Sequence, residues 1–307
     1  MSKILVTGAN GFVGQHVVRE LKAHSYEVIA VGGRGLPSTQ PNEDSNLALD
    51  LTQPAEANKI DFTDVAAVIH LAGLAAVGPS FDDPMRYINT NIGIETNLFE
   101  AALAQQVTPR FLIISTGSLY DAASDLPLTE ASPVQAGSPY AVSKLGQEEM
   151  ARYYSGRGFE IMVARPFNHI GPGQELGFLV PDVTKQVIDY EKSGTGRVLV
   201  GNLDAQRDYT DVRDIARAYR LLLEKGVPGE TYNVCSGQAR SGQAIVDAIL
   251  ALTDAKPAVE SDPARMRPSD NPVIYGSNQK ISDATGWQPE ISIEQTLADV
   301  VSDWRSR

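Results

Sequence analysis

Thr7-Gly-Ala-Asn-Gly-Phe-Val-Gly14 is the stretch on which the fold turns. Ile4-Leu5-Val6 before it is wholly apolar, as a buried strand is, and apolar residues recur with helical spacing from Phe12 to Ala23 behind it. A glycine triplet alone is equally a tight turn. Between a strand and a helix, small residues let the chain reverse, let a pyrophosphate approach backbone N–H groups, and let the helix pack on its strand. The stretch therefore predicts a βα unit that binds a dinucleotide, with Gly8, Asn10, Gly11, Phe12, Val13 and Gly14 around the phosphates.

Further apolar runs at 28–31, 47–49, 65–71, 111–114 and 161–164 read as strands covered on both faces, and helical patterns cover 85–106 and 138–154. Alternation of this kind predicts an α/β fold with a doubly wound parallel (Rossmann) sheet and ligands at the carboxyl ends of the strands. The polar stretch 32–45 reads as a surface crossover. Beyond Pro166 the elements shorten and prolines and glycines multiply, which suggests a smaller C-terminal α/β lobe closing over the cofactor. A helix at Val212–Lys225 and a strand at Thr231–Val234 are expected to return to the large unit. The expected division is residues 1–167 plus about 205–235 for dinucleotide binding, and about 168–204 plus 236–307 for the substrate lobe.

The chain has 307 residues, 42% hydrophobic and 21% charged, which suits a folded soluble protein. Its net charge of −12, without a dense basic cluster, argues against nucleic acid as a partner. One cysteine, Cys235, fits a reducing compartment, and the four histidines do not pair with Cys or Glu at metal-ligand spacing, so no metal is expected. No apolar run is long enough to span a bilayer, and a cytoplasmic location is the default.

Chemistry enters with Tyr140-Ala-Val-Ser-Lys144. Positions four apart share one helix face, so the Lys144 ammonium is expected near the Tyr140 phenol. A unit charge at about 4 Å and an effective dielectric of about 20 is worth about 4 kcal/mol, enough to bring the phenol well below its ordinary pKa of about 10. Ser115-Thr116-Gly-Ser118 puts hydroxyls at a strand end, where Thr116 or Ser115 would orient a carbonyl while Tyr140 delivers the proton. Elsewhere such pairs are surface ion pairs or helix caps, and their combination with the glycine turn gives them weight.

After the second strand stand Gly32 and Gly33 rather than a carboxylate, followed by Arg34. A cation without an acid there favours a 2′-phosphate, hence NADP(H), with NAD(H) possible and a solvated loop arginine as the plain alternative. Asp50 and Leu51 are placed to touch the adenine, and Leu71, Ala72 and Gly73 to pass close to the dinucleotide; His70 reads first as a core histidine.

Gly8, Gly11 and Gly14, Thr116, Tyr140-x-x-x-Lys144 and Arg165-Pro-Phe-Asn168 together resemble the extended short-chain dehydrogenase/reductase family over nearly the whole chain. The resemblance implies a catalytic triad of Thr116, Tyr140 and Lys144 and a nucleotide-linked sugar as substrate. Arg165-Pro-Phe-Asn-His-Ile-Gly-Pro-Gly-Gln174, Arg207-Asp-Tyr-Thr-Asp-Val-Arg-Asp214, Tyr232-Asn-Val-Cys-Ser-Gly237 and Arg265-Met-Arg-Pro268 resemble the branch that reduces a GDP-linked 4-keto-6-deoxy sugar, with GDP-D-rhamnose as product. This implies that Ser118, Asn168, Arg207 and Arg267 contact substrate, a guanidinium fork being suited to a diphosphate; a salt bridge of Arg207 to Asp208 or Asp211 is the plain alternative. In the family, dehydratases carry Glu and fucose-forming epimerase/reductases carry Cys where this chain has Ser118. The latter also use a histidine near the segment Gly177-Phe-Leu-Val-Pro181, where this chain has none. Hydride transfer plus a tyrosine proton is then simple ketone reduction. A 4-epimerase with tightly bound NAD and a non-catalytic NADP-sensing module are the rival readings. The helices at 85–106 and 138–154 resemble those of a four-helix homodimer interface.

Overall fold

The glycine turn joins β1 (Lys3–Thr7) to α1 (Phe12–Ala23) in the computed structural model, which describes residues 2–33, 45–121, 123–265 and 272–307. β1 sits inside a parallel sheet that continues with β2 (Glu27–Gly32), β3 (Ser45–Ala48), β4 (Val65–His70), β5 (Arg110–Ile114) and β6 (Ile161–Pro166). The chain then leaves this sheet for β7 (Asn168–Ile170), β8 (Arg197–Val200) and β9 (Gln206–Asp211), and returns to it with β10 (Thr231–Val234), which pairs with β6. The seven strands run β10-β6-β5-β4-β1-β2-β3. Strand order reverses between β1 and β4, so a crevice opens at their carboxyl ends, beside Thr7 and His70.

The pleat sends alternate side chains to opposite faces. Ile4 and Val6 join one buried cluster, with Val17 and Leu21 of α1 and Tyr219 and Leu222 of α6 (Val212–Lys225). Leu5 points into the other, with Leu98 and Phe99 of α3 (Pro84–Ala104) and Tyr154 of α4 (Pro139–Ser155), and the short α2 (Pro54–Ala57) closes the edge through Ala57. Side chains set where α3 and α4 start: Asp83 accepts from the Arg86 N–H at 3.1 Å and Ser138 from the Ala141 N–H at 3.2 Å, each with proline at the first helical position.

A third cluster packs α5 (Leu179–Ser193), α7 (Gly242–Ala251) and α9 (Ile293–Ser306) around β8 and β9. β9 also pairs with β7, with β11 (Ala239–Ser241) and with β13 (Val273–Ile274), while β8 pairs with β12 (Ala258–Ser261), and α8 (Gln279–Thr285) lies against α6. The sequence pattern left these short strands unresolved, because runs of two to four residues carry no period. Most of the 32–45 crossover lies outside the described residues. Among the described residues no helix is long and apolar enough to cross a membrane, and no group of three or more His, Cys, Asp or Glu is arranged to hold a metal ion.

Candidate active site

Gly8 has a left-handed φ of +67°, and a Cβ there would stand 2.9 Å from the Ala72 nitrogen, so the two strand-end turns touch backbone to backbone. At Gly14 a Cβ would fall 2.2 Å from the Gly8 carbonyl oxygen, which forbids any larger residue where α1 leaves the turn. Gly11 is the N-cap of α1 and supplies no capping side chain, so the first-turn amides of Phe12, Val13 and Gly14 have no acceptor from the cap. Backbone N–H groups at a helix N-terminus, next to a turn with room only for hydrogen at Cα, fit a pyrophosphate. Leu71 completes the wall by donating its N–H to the Thr7 carbonyl at 3.3 Å. Thr7 in turn accepts from Ala72 N at 3.1 Å and meets His70 Nδ1 at 2.8 Å.

Other expected cofactor contacts are held by their own loop or by side chains of α3. Asp50 Oδ1 accepts from the Thr52 amide at 3.1 Å and hydroxyl at 2.6 Å, and the Leu51 carbonyl accepts from Asn97 Nδ2 at 2.9 Å. Gly73 is exposed just beyond the crevice, where Asn91 fastens the next residue by accepting from Leu74 N at 2.7 Å. Arg34 lies outside the described residues.

Thr116, Tyr140 and Lys144 come together across the β5 end and α4. Thr116 caps the short turn Gly117–Leu119 by accepting from Ser118 N at 3.1 Å, and its hydroxyl acts on the Tyr140 phenol, favouring the ionised form. Ser115, the other candidate donor, is taken: its hydroxyl donates to Glu148 Oε1 at 2.5 Å. Ser118 is exposed at the rim.

One expectation is corrected. Lys144 does not depress the phenol: burial pushes Tyr140 up to about 12, Thr116 opposes that rise, and Tyr87 adds to it. The ammonium instead donates to the Ile114 carbonyl at 2.8 Å, at the end of β5, because a buried ammonium is drawn to the nearest strong acceptor. Burial also brings Lys144 down to about 8, against the pull of Glu95 and Glu148. The free chain thus presents a protonated phenol with a titratable cation behind it.

Sequence reasoning did not find the layer under these residues. Glu148 receives Arg165 through Nε at 2.8 Å and Nη2 at 2.6 Å, and Arg165 lies 4.9 Å over the Tyr120 ring, whose hydroxyl donates to Asn233 at 2.6 Å. Glu148 stands four residues after Lys144 and Arg165 opens a motif, but nothing local pairs them. His16 and His169 were also unread: His16 Nε2 meets the Pro172 carbonyl at 2.9 Å and His169 stacks on Phe12 at 6.1 Å, so the loop after β7 is seated on α1.

Among the expected substrate contacts, Asn168 is exposed at the start of β7, opposite Tyr209 of β9, and Arg207 is half-buried two residues earlier on β9. Asp211 pairs with Arg213 at 2.7 Å, and Asp208 accepts from Ser236 N, Ser236 Oγ and Gly237 N at 2.6 to 2.9 Å, so neither carboxylate matches the salt bridge considered for Arg207. Arg267 lies outside the described residues.

Residues 4–235 match the model of the NAD dependent epimerase/dehydratase family. Over 99% of its length the chain is 35% identical to GDP-6-deoxy-D-mannose reductase of Pseudomonas aeruginosa, covering 98% of that protein. The solved structure of RMD from Pseudomonas aeruginosa complexed with NADPH superposes with a TM-score of 0.88 at 34% identity, covering all of this chain and 99% of that one. UDP-glucose 4-epimerase of Thermus thermophilus, in complex with NAD, superposes equally well, with a TM-score of 0.88 at 26% identity and 99% of each chain covered.

Proposed function

Because the chain belongs to the NAD dependent epimerase/dehydratase family, we propose that it is an NADPH-dependent reductase of a nucleotide-linked 4-keto sugar, converting GDP-4-keto-6-deoxy-D-mannose to GDP-D-rhamnose. The observation that carries this reading is a buried, protonated Tyr140 phenol on the helix that faces the Thr116 turn, in a chain similar from end to end to a GDP-sugar reductase. Ketone reduction needs a hydride at carbon and a proton at oxygen. When bound, the reduced nicotinamide supplies the hydride. The residues of the glycine turn hold the pyrophosphate on backbone amides.

Thr116 donates a hydrogen bond to the ketone oxygen and Tyr140 gives it the proton as negative charge develops there. The resulting phenolate is stabilised by the Lys144 cation, which shifts towards it from the Ile114 carbonyl. Ser118 offers neither a carboxylate nor a thiolate, so no second base stands at that position to abstract a proton beside the ketone. Asn168, Arg207 and Arg267 receive the GDP moiety, the arginines matching its phosphate oxygens. The protein works in the cytoplasm as a homodimer through α3 and α4, whose outer surface carries Met85 (62% exposed), Val142 (46%) and Tyr153 (57%).

The 4-epimerase reading remains the alternative, favoured by the equally close fold of an NAD-containing epimerase. Purified protein mixed with the GDP-linked ketone and NADPH separates the two. Reduction consumes NADPH as substrate disappears. Interconversion of UDP-hexoses by protein that carries its own NAD, with no NADPH consumed, would refute it.

A further inference from the structure

Tyr140, Lys144 and Glu148 follow one another at four-residue intervals, so they line one face of α4, and all three are buried. Two of them are fastened to consecutive residues at the end of β5. Lys144 donates to the Ile114 carbonyl at 2.8 Å, and Ser115 donates its hydroxyl to Glu148 Oε1 at 2.5 Å. The residue that follows on the strand end is Thr116, and the remaining residue of the helix face is Tyr140. With the other two points tied, α4 is free neither to roll nor to slide along the strand end. Towards α3 it is pinned as well: Asn91 donates to Ser143 Oγ at 2.8 Å and Gln147 to Glu95 at 2.7 Å.

The Glu148 carboxylate also reaches the far end of the Thr116 turn. Arg165 binds both of its oxygens, through Nε at 2.8 Å and Nη2 at 2.6 Å, and lies 4.9 Å over the ring of Tyr120, the C-cap of that turn. Between the two ends a Cβ at Gly117 would stand 2.9 Å from the Phe167 ring, which stacks with Tyr120 at 6.3 Å. The Glu148 and Arg165 side chains are only 6% and 8% exposed. A buried ion pair of this kind adds little stability over an apolar pair of similar volume, whereas a two-bond guanidinium fork fixes direction.

We propose that Glu148 is a positioning residue: through Ser115 at one end and Arg165 at the other, it holds the Thr116 turn in register with Tyr140. The proposal rests on the reading of Thr116 and Tyr140 as the groups that meet the ketone oxygen. Ser115 acts only as the tether, since its single hydroxyl proton is committed to the carboxylate.

Ser115→Ala removes the tether and leaves the Glu148 to Arg165 pair intact. In the free protein, hydrogen exchange read by mass spectrometry is expected to quicken about tenfold in peptides covering 115–121 and to stay unchanged in those covering 8–14. For the ketone, kcat is expected to fall about tenfold with KM little changed. The double variant Ser115→Ala with Thr116→Val is expected to be no slower than Thr116→Val alone, because the effect passes through Thr116. Ser115→Ala, Glu148→Leu and Arg165→Met together remove the network without leaving an unpaired polar partner. That triple variant is expected to melt near the unaltered temperature, yet to show fast exchange at 115–121 and a low kcat.

Unchanged exchange at 115–121 in Ser115→Ala overturns the proposal. So does a double variant in which the two single losses multiply, or a folded triple variant with unaltered kcat. Should the triple variant not fold, Ser115→Ala decides alone. The exchange measurement needs neither cofactor nor sugar, so a mistaken substrate would leave its result standing.

Discussion

At Tyr140 the decisive quantity is the state of the phenol before substrate arrives. Pushed up to about 12 by burial, it is a proton donor at neutral pH, as reduction requires. Tyr140→Phe is expected to lower kcat about a hundredfold or more, and Thr116→Val by a similar factor, with KM for the sugar little changed. Steady-state kinetics with both variants checks this, and full activity in Tyr140→Phe would remove the phenol from the mechanism. Lys144 carries its charge below about pH 8 and loses it above, because its pKa is brought down from the usual lysine value. Since kcat/KM reports the free enzyme, its pH profile is expected to fall through about pH 8, and a flat profile to pH 10 would contradict the role given to Lys144.

Elements position these residues, and some elements were easier to read than others. The glycine turn was legible because its requirement is local: Gly14→Ala places a Cβ against the Gly8 carbonyl, and the variant is expected to lose NADPH binding in a fluorescence titration. The helix bearing Tyr140 and Lys144 was legible from the helical pattern over 138–154 and from their spacing of four. What Lys144 bonds was not legible, because the Ile114 carbonyl lies 30 residues away and nothing in an i, i+4 pattern reports the depth of a strand end. The links of Glu148 to Ser115 and Arg165 and of Glu95 to Gln147 escaped for the same reason, since they join elements distant in sequence. Packing under α3 and α4 is carried by Phe99, fully buried with ring centroids of Phe111 and Tyr154 at 4.5 and 4.4 Å. Phe99→Ala is expected to cost about 3–5 kcal/mol, read as a lower midpoint in urea unfolding.

The whole molecule places a dinucleotide cradle at the reversal of strand order, a hydroxyl and phenol pair on the same edge of the sheet, and β7 and β9 with Asn168 and Arg207 beyond it. α4 links two scales: its inner face carries Tyr140 and Lys144, and its outer face exposes Val142 and Tyr153. If the proposed homodimer forms through this face, Val142→Glu with Tyr153→Glu is expected to give folded monomers in light scattering where the unaltered protein gives dimers; an unaltered protein that is monomeric, or dimers that persist in the variant, would contradict the proposed interface. The central claim is direct reduction of the ketone with NADPH as hydride donor. Incubating the protein with GDP-4-keto-6-deoxy-D-mannose and NADPH deuterated at the transferring position tests it most directly. The account predicts GDP-D-rhamnose with deuterium at C4 and one NADPH consumed for each sugar formed; product without deuterium, or no consumption of NADPH, would contradict it.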